Sequence, residues 1–364
     1  MKLIELHILQ SVPVSCLNRD DAGNPKSAVF GGANRARVSS QAWKRAIRIH
    51  ARENFPDLPF KGIRSRFLLE PLTAALQKHG AEKPAETAEA IAKVFTTLQG
   101  EKNRKAGDTT TAVFLSPAEI DSIAAAVVAG KTPAAAAKNA QRNDAADIAL
   151  FGRMVANDSS LNVEAAALFA HALSTHSVDH ELDFYTAVEE NPRSSDGETS
   201  TDPGAAMMGN LGFTSATYYR YVALNLDQLA ANLPGIEPEE LNKIVEAFLR
   251  STLEAIPGAR EATMNAQTRP GFVLGCYREK GSPVQLVNAF ERPVTTSCGV
   301  LEKSASLLLK EREYLADAWG VRPDLGLVIK HRLALDKDTP AQLEQIGLDD
   351  FVSRLATASS LTPA

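Results

Sequence analysis

Cysteine is scarce in this chain: its 364 residues include three, Cys16, Cys276 and Cys298, far apart and outside any CxxC spacing. A scattered, odd-numbered set supports neither a disulfide framework nor a thiolate zinc site, so the three read as ordinary reduced thiols. Long apolar runs are missing too. Nothing approaches the roughly 20 residues of a membrane span, and Met1-Lys2-Leu3-Ile4-Glu5 places an acid where a secretory leader wants an unbroken apolar stretch. The expected compartment is the cytoplasm, with no membrane partner. No GxxxxGK[ST] loop and no G-x-S-x-G elbow occurs, which removes the main warrants for nucleotide hydrolysis and for a serine nucleophile.

What remains is a chain able to bury a large core, with 44% hydrophobic residues and a length suited to one large domain or two. Acidic residues outnumber basic ones 44 to 39, for a formal net charge of −5, and that balance by itself argues against a polyanionic partner. Its distribution argues the other way. Between Asp21 and Glu53 there is no acid, while Lys26, Arg35, Arg37, Lys44, Arg45, Arg48 and Arg52 supply seven positive charges; the rest of the chain then holds 32 basic residues against 44 acidic ones. An acidic body with one concentrated basic surface steers a polyanion through its local field.

Lys2 to Gln10 alternates, with Ile4, Leu6 and Ile8 on one side and Glu5 and His7 on the other, and predicts a strand buried on one face. A turn-rich loop follows from Asn18 to Gly32. Ser39 or Ser40 then caps a predicted helix whose apolar side carries Trp43, Ile47 and Ala51 and whose opposite side carries Lys44, Arg48 and Arg52. From Pro71 to about Ala140 an alanine-rich helical pattern predicts an insertion, with a polar break from Glu101 to Thr111. Helix signals resume over Asn139–Leu150 and Val163–Thr175. Asn191 to Gly212, rich in Ser, Gly, Pro and Asp, reads as a protruding loop or long hairpin. Strands are expected at Thr217–Leu226 and Gly271–Tyr277, and helices at Leu241–Ile256 and Leu301–Trp319. Strands and helices mixed without regular βα alternation predict an α+β fold.

The strongest chemical signal is Asn18-Arg19-Asp20 with Gly31-Gly32 and Arg35, Arg37, Ser39, Gln41, Lys44 and Arg48. Glycines admit close backbone approach, amides at a helix start attract anions, and the nearby cations complete a phosphate cradle. The bland alternative is a solvated basic helix after a glycine turn. His171, His176 and His180 with Asp179 and Asp183 invite a metal reading, but offsets of five and four do not put three imidazoles on one helix face, so no metal and no cofactor is expected. Aromatics form 6% of the chain. Phe184-Tyr185 and Tyr218-Tyr219-Arg220-Tyr221 are accordingly expected in strand core rather than as base-stacking platforms.

Ser15-Cys16-Leu17-Asn18-Arg19-Asp20-Asp21, Phe30-Gly31-Gly32 and the run Arg37 to Arg48 resemble the CasC family, the guide-RNA-binding backbone subunits of type I-E CRISPR Cascade complexes. So do Ile148 to Met154, His171 to Val188, Tyr219-Arg220-Tyr221, Pro257-Gly258-Ala259-Arg260 and Asn288-Ala289-Phe290-Glu291. The insertion and the C-terminal tail match poorly. The resemblance implies an α+β fold with an RRM-like (ferredoxin-like) palm, formed by residues 1–60 with the basic helix, 141–180 and 218–364. Helical fingers would span 61–140 and a β-hairpin thumb 181–217. It also implies a non-catalytic protein whose copies line up along CRISPR guide RNA, beside other Cascade subunits, and present it for pairing with target DNA. Arg19, Ser39, Gln41, Lys44 and Arg48 would hold guide phosphates, with Asn18, Arg37, Arg45 and Arg153 in the same RNA-binding set. Met154 would press on a base near a kink, and Tyr185, Thr186 and Val188 would flank a displaced nucleotide. The thumb departs from the family, being longer and more polar over Asn191–Pro203, and Phe184-Tyr185 stands where the family carries Trp-Phe. The alternatives are a CRISPR RNA-processing endonuclease on a similar palm, using His50 or His176, and an assembly protein whose basic face meets an acidic partner.

Overall fold

The first strand, β1 (Leu3–Ser15), is buried on both sides, and that fact organises the fold. A computed structural model of the chain describes residues 1–100, 106–179, 181–188, 205–296, 299–335 and 343–358. Of the sequence features noted above, His180, Cys298, residues 101–105 of the polar break and residues 189–204 of the proposed thumb lie outside the described residues.

β1 pairs antiparallel with β10 (Phe272–Arg278) on one side and with β9 (Ala205–Asn225) on the other. β11 (Leu325–Lys330) follows β10, and β12 (Glu344–Gln345) closes that edge in parallel. Beyond β9 lie β6 (Ala167–Phe169), β7 (Ala172–Ser174), β3 (Ala33–Val38) and the edge strand β2 (Ser27–Phe30). The result is a large mixed sheet with helices on both faces, in keeping with the α+β expectation. Ile4, Leu6 and Ile8 join Tyr218, Val222 and Leu224 of β9 in a core covered by α1 (Ser40–Asn54), α8 (Pro238–Glu254) and α10 (Leu348–Ala356). On the opposite face Leu9, Tyr219, Tyr221 and Leu274 pack under α9 (Val300–Trp319) and residues 286–294.

The expectation of one solvent face for β1 is therefore corrected: Glu5 is 3% and His7 4% exposed. Covering both faces leaves these groups no water, and each has a partner instead. Glu5 accepts from Tyr221 Oη (2.6 Å), Arg278 Nε (2.7 Å) and Val284 N (2.8 Å). The Tyr219 hydroxyl takes the Leu286 N–H and lies 2.9 Å from His7 Nδ1.

A separate core builds the inserted region. It unites α2 (Leu69–Lys78), α3 (Pro84–Phe95), α4 (Pro117–Val128) and α5 (Pro133–Lys138) with a two-stranded sheet of β4 (Ile63–Ser65) and β5 (Val113–Leu115). Three of the four helices begin on Pro, and α2 has Pro71 as its third residue, all in the first turn, where the missing N–H costs nothing. Of the helix signals over Asn139–Leu150 and Val163–Thr175, only the first forms, as α6 (Ala146–Phe151), and α7 (Leu226–Asn232) follows β9. Val163–Thr175 is not helical, contrary to its alanine-rich pattern, but supplies β6 and β7. Pairing with β9 and β3 outweighs a per-residue preference of well under about 1 kcal/mol. Tyr218, Tyr219 and Tyr221 are core, as expected, at 3%, 2% and 4% exposure.

Two predictions follow from buried charge. Burial lowers the His7 pKa to about 4, so from about pH 6.5 downward the unfolded chain binds a proton that the folded one refuses. Stability should fall with pH across that window, by up to about 1.4 kcal/mol per unit from this residue. Thermal melts should decline less steeply in a His7→Gln variant, and equal slopes would remove His7 as a cause. Arg153 and Glu119, 5% and 0% exposed, form an ion pair at 2.8 Å that joins α4 to the segment after α6. Glu119→Ala strands the guanidinium and should cost about 3–5 kcal/mol in urea unfolding; a loss under about 1 kcal/mol would show that water reaches Arg153.

Candidate nucleic-acid interface

Helix α1 is fixed by its apolar stripe of Trp43, Ile47 and Ala51, sunk into the core that holds Ile4, Leu6 and Ile8. The Trp43 ring lies under the guanidinium of Arg220, 3.6 Å from centroid to Cζ. Arg220 is itself held by Gln10 Oε1 and Thr252 O, both at 2.6 Å, and burial lowers its pKa to about 9. One face of α1 thus has a single seat, and helical spacing turns Gln41, Lys44, Arg45 and Arg48 away from the core.

The N-terminus of α1 is closed rather than open to an anion. Asn18 Oδ1 accepts the Ser39 N–H (2.9 Å), His171 Nδ1 the Ser40 N–H (3.1 Å), and Ser39 Oγ the Ala42 N–H (3.3 Å). Asn18 and Ser39 therefore act as caps, and the expectation of free helix-start amides is corrected. Gly31 and Gly32 do not join the cradle either. They turn the β2–β3 hairpin with φ of 60° and 74°, at the other end of β3, about 20 Å from Ser39 by strand rise. A Cβ on Gly31 would stand 1.6 Å from the Glu291 carbonyl oxygen. Arg35 is fully buried and donates to the carbonyls of Phe30, Ser174, Phe290 and Glu291, so its charge faces inward.

The cations that remain form a stripe. Lys44 Nζ stands 5.3 Å from the Phe169 ring centroid and Arg48 Cζ 5.0 Å from that of Phe114, each side chain half-buried along an aromatic wall. Burial lowers the pKa of both; for Arg48, Asp147 opposes that shift while Arg52, Arg64 and Arg45 add to it. Arg45 and Gln41 are exposed. Lys44, Arg45 and Arg48 make no ion pair among the described residues. Arg52 leaves the stripe: it donates to the carbonyls of Phe60 and Gly62 and lies 3.5 Å from Asp147.

Arg64, exposed on β4, extends the positive surface and was missed in the sequence. The signal was there, since residues 58–69 form a second acid-free run with Lys61, Arg64 and Arg66. At the start of α1, Arg37 donates to Ser27 O (3.2 Å). Burial lowers the pKa of neighbouring His171, and Arg37 and Lys26 lower it further. Arg19 is exposed in the turn that ends at its bridge to Pro25.

Arg153, grouped above with the RNA contacts, has every guanidinium nitrogen engaged by Glu119, Phe114 O or Leu161 O. Its neighbour Met154 is 85% exposed, turned outward where Arg153 turns in. In β8 (Glu181–Val188), Phe184 and Tyr185 are 62% and 40% exposed, which corrects their assignment to core. β8 pairs with residues 205–213 of β9 as a ribbon, and the Tyr185 ring covers Gly209 across the strands. The side chains of Thr186 and Val188 lie outside the described residues. Among the described residues no three or more His, Cys, Asp or Glu converge on a metal position, and no helix is long and apolar enough to cross a membrane.

The model of the CT1975-like protein family matches residues 4–354. A chain of a CRISPR RNA-guided surveillance complex, pre-nicking, shares 29% identity at a TM-score of 0.78, covering 97% of this chain and 100% of that one. A chain of another CRISPR RNA-guided surveillance complex has the same fold at a TM-score of 0.63, with 24% identity and 96% and 98% coverage. No curated protein sequence matches. With a family match over nearly its whole length, the chain belongs to the CT1975-like family, the CasC family of Cascade backbone subunits.

Proposed function

We propose that the protein is the non-catalytic backbone of a Cascade complex, gripping CRISPR guide RNA by its phosphates while successive copies line the same strand. One observation carries this reading: Lys44, Arg45 and Arg48 crowd one helix face without an ion-pair partner among the described residues, and Lys44 and Arg48 are partly desolvated. Like charges held together at a cost in solvation want an external anion, and a phosphate backbone supplies one at regular spacing. Arg19, Arg37, Gln41 and Arg64 extend the path, whereas Asn18 and Ser39 hold the helix start and Arg153 the finger junction. Contacts to phosphates position a strand without reading it, as a guide of any spacer sequence requires.

On this reading the large sheet is an RRM-like palm, the inserted core the fingers and the β8–β9 ribbon the thumb. Met154, Tyr185, Thr186 and Val188 flank a displaced base, and the bound guide meets target DNA beside the other subunits. The endonuclease alternative has less support. His176 Nε2 accepts the Thr217 N–H (3.2 Å), and His50 lies between Ser251 (3.1 Å) and Glu254 (3.5 Å) on the side of α1 away from Lys44. Labelled repeat RNA should be retained intact by the pure protein; cleavage would move the assignment to the enzyme.

Lys44→Glu with Arg48→Glu should weaken RNA binding strongly and make its log–log salt slope shallower by about 1.4, at about 0.7 per phosphate contact on a single strand. Circular dichroism should be unchanged, since neither residue belongs to the buried stripe. Wild-type affinity in a folded double variant would sink the stripe assignment. Met154→Ala should leave affinity and salt slope nearly intact, because a thioether contributes apolar surface and no charge. A fluorescent base analogue walked along the guide should nonetheless change its emission at one recurring position; a flat profile in both proteins would argue against base displacement.

A further inference from the structure

Lys44 and Arg48 rest on rings that come from two separate parts of the fold. Phe169 ends β6, where it pairs with Val222 of β9. Its ring is packed by two others, with the Phe151 centroid 6.0 Å away and that of Phe248, set edge-on at 89°, 6.3 Å away. Phe151 and Phe248 are themselves 6.1 Å apart. α6, β6 and α8 thus each contribute one ring, and the triad presents Phe169 to Lys44 Nζ at 5.3 Å. Phe114 belongs instead to the inserted region. It sits on β5 opposite Arg64, and its carbonyl accepts from the buried Arg153 (3.2 Å). Gly62 leaves room for its ring, since a Cβ there would stand 2.7 Å from Phe114 Cε2. Arg48 Cζ lies 5.0 Å from the centroid of this ring.

Among the described residues neither Lys44 nor Arg48 makes a side-chain hydrogen bond or an ion pair, and Arg48 Nε is buried without a partner. The acid that acts on Arg48, Asp147, is already engaged: its Oδ1 accepts the N–H groups of Gly62 and Ile148, both at 3.1 Å, and its Oδ2 lies 3.5 Å from Arg52. A carboxylate seat would hold a cation as firmly but would cancel the charge that an anion needs. A ring attracts the cation through its quadrupole, carries no net charge, and leaves N–H donors free on the other side. It also restricts a long side chain before any partner arrives, so that less rotamer freedom is lost on binding.

We propose that Phe169 and Phe114 are positioning residues for RNA, each holding one cation of the stripe in place without neutralising it. The inference rests on the reading that Lys44 and Arg48 grip phosphates, and it identifies what keeps those two side chains ready. One ring stands on the large sheet and the other on the inserted region, so the stripe spans the seam between them.

Double-mutant cycles on the intact chain test it, read by fluorescence anisotropy with an unstructured RNA across a salt series. Phe169→Leu and Phe114→Leu should each lower affinity about fivefold and leave the salt slope unchanged, because the charge stays and only its placement loosens. In a Lys44→Gln background Phe169→Leu should change affinity by at most about twofold, and so should Phe114→Leu with Arg48→Gln, whereas the crossed pairs should be additive. A general loosening of α1 would couple every pair alike and overturn the proposal. So would a lowered melting temperature with wild-type affinity. Because Phe114 is buried, a tetrafluorophenylalanine in its place serves if Phe114→Leu does not fold. This ring keeps its shape and loses its negative face, so affinity should fall as for leucine, and wild-type affinity would remove Phe114 as a seat. If Lys44→Gln and Arg48→Gln weaken binding while the ring variants do not, the stripe stands and the seats fall. If Lys44→Gln and Arg48→Gln bind as the wild type does, the stripe falls and the seats with it.

Discussion

The antiparallel pairing of β1 with β9 runs from Leu3 opposite Asn225 to Ser15 opposite Thr214, and nearly everything else is placed by it. Because both strands are covered on both faces, their side chains sort into two cores, and each core requires its own layer of helices. The layer over Ile4, Leu6 and Tyr218 includes α1, whose outward face is then the basic stripe. β9 reaches further still. Its first nine residues, 205–213, pair with β8 as a free ribbon, while the remainder belongs to the central sheet.

Arginine has two uses in this molecule, and they separate cleanly by partner. Arg35, Arg153, Arg220 and Arg278 are buried and bonded to carbonyls, carboxylates or a glutamine oxygen, so their charges are answered within the fold. Lys44, Arg45, Arg48, Arg64, Arg19 and Arg260 have no carboxylate within ion-pair distance among the described residues. Among them Arg64 on β4 and Lys44, Arg45 and Arg48 on α1 form one stripe. A surface of this kind concentrates field on an otherwise acidic protein, and the field is screened by salt.

Much of the central fold could be read from periodicity. The alternation of Lys2–Gln10, the helical stripe of Trp43, Ile47 and Ala51, and the helices near Leu241 and Leu301 all correspond to observed elements. What failed was reading one residue's surroundings from its neighbours in sequence. Glu5 and His7 alternate with apolar residues like a solvent face, yet they lie under α9, which enters the chain nearly 300 residues later. Val163–Thr175 has helical composition, and only strands distant in sequence decide otherwise. Within the candidate site, Lys44, Arg45 and Arg48 were legible from an acid-free run on one helix face. Arg35 and Arg52 share that run, yet Arg35 is buried and Arg52 is tied to the Phe60 and Gly62 carbonyls, which a count of charges does not reveal.

The continuity of β9 also bears on how such a chain can change over generations. Strand residues face alternate sides, so inserting or deleting one residue between Thr214 and Asn225 would exchange the two cores, sending Tyr218 and Val222 where Tyr219 and Tyr221 now pack. The single accommodation already present is the register shift between Val12 and Ser15, opposite Ala216 and Thr214. Length variation in a lineage is thus purged from the stretch between Thr214 and Asn225, and the strand that spans the central sheet keeps its count.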